Sequence, residues 1–240
     1  VSYSFERPIL TTHELDGASY DRIRIANAPN GGIVGHPDLP QAGATILIPY
    51  GNDVTSVSVT TDGGIVLGQG YQIAPVTRPV PLSAMQNQVA PVQKDFAIYG
   101  LQNAYPQLLH ETIGTQSVRG YQILTVKLHP VQYNPSNGEL IYHPRLHVSV
   151  TTTASGRSHE LLRGLAKDAD YVAAKIDNPN ELSSYAGAGK RTREAFDLLI
   201  ITTPSLAASF APLKDFRDST GIATEIHTTD DIGSTTPADV

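Results

Sequence analysis

The residues best suited to chemistry are basic and cluster in one place. Ala186-Gly187-Ala188-Gly189 leads into Lys190-Arg191-Thr192-Arg193. A trypsin-like or Arg-specific protease needs an extended segment to enter its cleft and a basic side chain to meet an acidic pocket. The Gly/Ala approach supplies the first and Lys190, Arg191 and Arg193 the second. Histidines are the next candidates. A strand advances about 3.3 Å per residue, so His143 and His147, read on one strand face, stand too far apart for one ion. His129 opposite His143 would give two ligands where a closed zinc site wants about four. The pattern predicts surface histidines on a polar face, and His36 and His110 show no partners in the sequence. Asp230 and Asp231 could bind calcium or assist acid-base work. Followed by Ser234-Thr235-Thr236-Pro237, they read first as a loop and helix cap. No G-x-S-x-G elbow and no phosphate-binding Gly-rich loop is present, and Thr61-Asp62-Gly63-Gly64 reads as a hairpin turn.

Composition narrows the classes. Hydrophobic residues make up 40% and charged residues 17%, the balance of a folded globular chain. A net charge of −6 argues against a nucleic-acid partner. No apolar run approaches the ~20 residues of a membrane helix, so the chain is not read as transmembrane. Cysteine is absent, which removes disulfides, Cys-bound metals and a thiol nucleophile from these residues. Val1 in place of Met, with no basic-then-apolar leader, fits a chain whose signal peptide has been removed.

The elements that must position these residues fall into blocks. Up to about Thr153 the pattern is short and period-two. Ile23 and Ile25 oppose Arg22 and Arg24; Ile46 with Ile48, Val57 with Val59, and Leu124, Val126 and Leu128 repeat the alternation. Leu140, Tyr142, Leu146, Val148 and Val150 read as one face of a long final strand, and Asn134-Pro135-Ser136-Asn137-Gly138 as a turn. Many short strands with Gly/Pro turns predict an antiparallel sandwich or barrel. Residues 74–93, with Pro75, Pro79, Pro81 and Pro91, read as a long surface loop, a class that is often functional. Ser158 is placed as the cap of a helix carrying Leu161, Leu162 and Leu165 and running towards Ile176, with Asn178-Pro179 ending it. Leu198-Leu199-Ile200-Ile201 reads as a strand buried on both faces, as in parallel sheets. A helix from Pro204 with Leu206, Phe210 and Leu213, a stop at Gly221 and a strand over 223–228 complete a β-α-β unit, and another helix is expected at Thr236-Pro237. A single unit of this kind needs neighbouring strands, so the chain looks cut within an α/β domain. The whole is mainly β: an antiparallel β-sandwich or barrel-like domain over 1–155, a helix and basic processing linker over 156–194, and the start of an α/β domain over 195–240.

Several segments resemble gingipain-type cysteine peptidase precursors. Val118-Arg119-Gly120-Tyr121, Pro130-Val131-Gln132-Tyr133-Asn134-Pro135, Gly138-Glu139-Leu140 and Gly35-His36-Pro37-Asp38-Leu39-Pro40 resemble the propeptide. Leu199-Ile200-Ile201-Thr202, Pro212-Leu213-Lys214-Asp215, Thr220-Gly221-Ile222 and Thr228-Thr229-Asp230-Asp231-Ile232 resemble the opening of the peptidase domain. Arg119-Gly120 fits the family pattern while reading as a strand start, where Gly permits a bulge. The resemblance implies a secreted or cell-surface zymogen in which a β-sandwich propeptide assists folding of a caspase-like peptidase domain and blocks its cleft. The residues shown would carry no catalytic group, since there is no Cys and His227 lies too early. It further implies that a basic residue of a propeptide loop, here Arg78 or Lys94 with Arg78 nearer the matching position, plugs the specificity pocket. Partners would be the downstream peptidase domain and a processing protease. No cofactor is implied within these residues, and any calcium would belong to the downstream domain. The alternatives are a non-catalytic surface or assembly subunit built on the same plan and, ranked last for want of Trp, a carbohydrate-binding β-sandwich.

Overall fold

A computed structural model describes residues 1–15, 17–78, 93–156, 161–188 and 196–233. Ser158, Lys190, Arg191, Arg193 and the helix start at Thr236-Pro237 lie outside them. In chain order the strands are β1 (Ser2–Ser4), β2 (Ile9–Leu15), β3 (Ala18–Arg24), β4 (Asn30–Gly31), β5 (Leu39–Pro40), β6 (Ala42–Leu47), β7 (Asn52–Thr61) and β8 (Ile65–Gly68). The short helix α1 (Phe96–Tyr99) precedes β9 (His110–Val118), β10 (Tyr121–Leu128), β11 (Val131–Asn134), β12 (Glu139–Tyr142) and β13 (Arg145–Ala154). Then come α2 (Ala166–Ala173), a 3-10 stretch (Pro179–Tyr185), β14 (Leu198–Thr202), α3 (Pro204–Ala207), α4 (Ala211–Ser219), β15 (Thr224–Thr228) and α5 (Thr229–Ile232). The chain divides into two compact units, Val1–Gly189 and Lys190–Val240.

The first unit is built from antiparallel sheets. One has the order β1-β13-β7 and another β6-β10-β9. The side chains between them form a sandwich core: Ala44, Ile46, Ile48, Leu124, Val126 and Leu128 from the second sheet meet Leu146 and Val148 of the first. This is the alternation read in the sequence. Tyr121 and Ile123, on the opposite face of β10, are also buried, against Leu162, Val172, Ile176 and Tyr185. The strand is therefore covered on both sides, by a sheet and by α2 with the 3-10 stretch. A third sheet, β11-β12-β8, shares a separate core with β3 and β5 around Ile23, Leu39, Val131, Tyr133 and Leu140. Among the described residues no sheet closes into a barrel.

Four local expectations change. The long strand through Tyr142 and Leu146 is broken at His143-Pro144: Leu140 and Tyr142 serve one core, Leu146 and Val148 the other. Asp62-Gly63-Gly64 is not a hairpin turn, because β7 pairs β13 while β8 pairs β12. Both chain segments step from one sheet to the next at the same corner. Gly64 is needed there, since a Cβ would sit 2.6 Å from Ile141 Cγ2. Arg119 and Gly120, with φ of 53° and 86°, form the two-residue turn joining β9 to β10, not a bulge. Finally, α2 starts only at Ala166, with Leu165 as its N-cap and Leu161 and Leu162 before it, and Asn178-Pro179 opens the unforeseen 3-10 stretch. There Asp177 and Asn178 take up the free edge of β6: their side chains accept from Thr45 N (2.7 Å) and Leu47 N (2.8 Å).

In the second unit β14 pairs β15 in parallel, and α3 and α4 occupy the predicted helix. The stop at Gly221 has φ 81°. Burial on both faces is not reached: Leu199 and Ile201 remain 37% and 36% exposed, because β15 is the only strand beside β14 among the described residues. Asp230 and Asp231 lie inside a helix, not before one. Thr228 caps α5, and Asp231 closes the capping box by accepting from Thr228 N at 2.7 Å.

Candidate inhibitory-loop clasp

The long loop has roots that begin and end in well-packed structure. Ala74 and Pro75, expected at the surface, are buried along with Ile73, and Asp21–Ile73 and Pro37–Pro75 form β-bridges. Asp38 N donates to Ala74 O at 2.8 Å, and Val76 N to His36 O at 2.7 Å. Gly35 N then donates to Val76 O at 3.0 Å. The downstream root uses the same residue: Asp95 N donates to Gly35 O at 3.0 Å. Gly35 has φ +90°, and a Cβ there would lie 3.1 Å from Gln93 O, so both the turn and the close approach require glycine. Gly35-His36 is thus a clasp that ties both roots together.

Side chains lock it. His36 Nδ1 lies 2.9 Å from the Tyr105 hydroxyl and its Nε2 3.4 Å from Asp95 Oδ2. Asp95 also caps α1, accepting from Ala97 N at 2.9 Å. Tyr99, whose hydroxyl is pushed up in pKa by burial, donates to Ile73 O at 2.9 Å and so returns to the upstream root. Lys94 Nζ stands 4.7 Å from the centroid of Tyr20 and 4.9 Å from that of Tyr99, a cation–π contact with two rings. Arg78, the last described residue of the upstream root, is exposed and has no ion-pair partner among the described residues.

Sequence reasoning named both basic residues here but missed the clasp. The sequence shows no partner for His36. Its partners Asp95 and Tyr105 are distant in sequence, and no local pattern marks such contacts. The Gly35-to-Pro40 segment carried the resemblance without revealing what it holds.

The other candidates separate. His129 and His143 are buried, against the expectation of surface histidines, because the chain turns inward at the corner between the sheets. Burial, with help from Lys127, lowers the His129 pKa to about 4, and burial lowers that of His143. Gln132 Nε2 donates to Pro106 O, so its Oε1 faces His143 Nε2 at 2.9 Å and accepts from it. The other ring nitrogen, Nδ1, is buried without a partner. His147 stays on the outer surface, 2.7 Å from Asp62 Oδ1; it lies beyond the strand break and does not share a strand with His143. Among the described residues no group of three or more His, Asp and Glu side chains is placed to hold a metal. Tyr121, Tyr133, Tyr142 and Tyr185 are core residues, so they form no exposed aromatic platform.

Comparison with known proteins adds a family. No curated protein matches the sequence. Among solved structures, the chain is similar to the complex of Porphyromonas gingivalis RgpB pro- and mature domains, with TM-score 0.61 and 16% identity over 75% of this chain and 91% of that one. A second similar structure is titled as structural insight into zymogenic latency of gingipain K from Porphyromonas gingivalis. It has TM-score 0.48 and 23% identity over 62% of this chain and 85% of that one. The first likeness shows the fold. The Propeptide_C25 family matches residues 1–171, nearly the whole first unit, and the chain therefore belongs to that family as a propeptide of the gingipain type.

Proposed function

We propose that the first unit keeps a gingipain-type cysteine peptidase latent by presenting Arg78 to its specificity pocket. The family match over residues 1–171 carries this reading. The clasp supplies a physical reason for it. An inhibitory side chain must be held in one place, or the ordering cost at binding weakens it. Hydrogen bonds through Gly35 and His36 meet that cost in advance. Arg78 would pair with an acidic pocket through charge-assisted hydrogen bonds. The following residue, Pro79, disfavours cleavage of the next bond. Lys94, engaged by two rings, serves the root of the loop instead. Latency would end when a processing protease cuts at Lys190, Arg191 or Arg193. The second unit would open a caspase-like peptidase domain, any calcium would belong further along that domain, and the precursor would act outside the cell.

The test titrates the 240-residue chain against its cognate mature peptidase. Inhibition below micromolar concentration is expected. Arg78→Glu should weaken it by about ten- to a hundredfold, the loss of a charged hydrogen-bonded pair. Lys94→Gln should weaken it less. A parent chain that does not inhibit at micromolar concentration sinks the reading.

A further inference from the structure

A groove of about 650 Å³ adjoins the clasp. Its apolar lining comes from Ile33, Ile98, Leu101, Pro106 and Leu108. Ile33 is 65% exposed and Leu108 66%, and Phe96, on the same helical turn as Ile98, is 81% exposed. Apolar side chains this open and this concentrated mark a contact surface. The rim adds little net charge, since Lys127 Nζ and Glu111 Oε2 already pair at 2.7 Å.

The groove and the clasp are one piece of structure. Ile33 lies two residues before Gly35. Ile98 and Leu101 follow directly from Asp95, the capping residue of the downstream root. Tyr105 both lines the groove and holds His36. The groove therefore adjoins the root from which Arg78 extends, two residues beyond Val76.

We propose that this groove is a second, apolar docking surface for the peptidase domain, placed beside the pocket that Arg78 enters. The inference rests on the inhibitory reading above. It assigns the two contacts different physics. Arg78 binds by charge, and its contribution falls as salt rises. The groove binds by burying apolar surface, and its contribution is nearly independent of salt. The second contact gives affinity where charge is screened.

The experiment uses the 240-residue chain carrying the uncharged substitutions Ile33→Asn or Leu108→Asn, with Arg78→Glu for comparison. Binding to the mature peptidase is measured at low and high salt, and thermal midpoints check folding. Both positions are exposed, so the midpoints should stay near that of the parent. Each groove variant should bind at least about tenfold more weakly, by a factor that is the same at both salt concentrations. The loss from Arg78→Glu should shrink at high salt. If the parent binds and both groove variants stay within about twofold of it, the groove proposal is overturned while the inhibitory reading stands. A salt-dependent groove effect overturns it as well. A parent that does not bind removes the inhibitory reading, and the groove with it.

Discussion

The two units treat the same residue types differently. In the first, Leu124, Val126 and Leu128 are shut between two sheets, and a buried carboxylate is wrapped by arginines. In the second, Leu199, Ile201, Leu206, Leu213 and Phe216 reach the surface, and the Lys214–Asp218 pair is open to water. Burial sets what each interaction is worth. The first unit draws stability from three cores of its own, whereas the second leaves apolar surface that only further contact could cover.

The sharpest way to test that contrast is the ion cluster at the turn between β9 and β10. Asp168 is 1% exposed. Its Oδ1 accepts from Arg119 Nη1 at 2.8 Å and Arg163 Nη2 at 2.7 Å, and its Oδ2 from Arg163 Nε at 2.9 Å. Arg119 also stacks on Tyr171, 3.9 Å from its centroid. Replacing both arginines by alanine strands a carboxylate in the interior and should cost about 3–5 kcal/mol. Asp168→Ala should cost less, because both arginines are part-exposed and can turn to water. Denaturant unfolding of the three variants reads the order directly. Equal losses would mean that the cluster acts through packing and not through charge.

The period-two pattern carried much of the first unit because a half-buried strand must alternate. It failed where that premise fails. On β10, Ile123 and Leu124 are both buried, so alternation gave one face and hid the contact with α2. At His143-Pro144 two strands of different sheets follow one another in phase, and a pattern of faces cannot show that the sheet has changed. Arg78 was legible as a basic residue in a Pro-rich loop. Gly35 and His36 were not legible as its anchor, because their hydrogen bonds join segments far apart in sequence. The four aliphatics of β14 announced a parallel strand correctly, but pairing with one strand leaves Leu199 and Ile201 part-open.

Histidine gives the next comparison. His129 and His143 are buried in the first unit, while His227 in the second is part-exposed beside Glu225 at 3.0 Å. The unfolded chain binds a proton at His129 near the ordinary value of 6.5, whereas the folded unit resists until about 4. Between these values the unfolded state holds more protons, so the His129 contribution to stability falls as pH drops from 6.5 to about 4 and is constant below that. His129 alone contributes up to roughly 3 kcal/mol of this loss, and His143 acts in the same direction. Around His129 the charged and titratable neighbours are Lys127, Glu111 and His110. Hydrogen exchange resolved by segment should show the first unit loosening over this range. His129→Gln should flatten most of the slope, and an unchanged slope would assign the acid response elsewhere.

The smallest expected effect is the one that tests the second unit. Phe216 lies on α4, 59% exposed, with the Arg217 guanidinium 5.8 Å from its ring centroid. A side chain placed this way gains little from burial, and the ring–cation distance is near the outer limit for attraction. Phe216→Ser should therefore change stability by no more than about 0.5 kcal/mol. Truncating a core aromatic such as Tyr121 should cost on the order of 3 kcal/mol. Hydrogen exchange of α4 in the parent and in Phe216→Ser gives the comparison its measure. A large loss of protection in the variant would mean that Phe216 is covered in solution, and the contrast between a self-sufficient first unit and an open second one would fail.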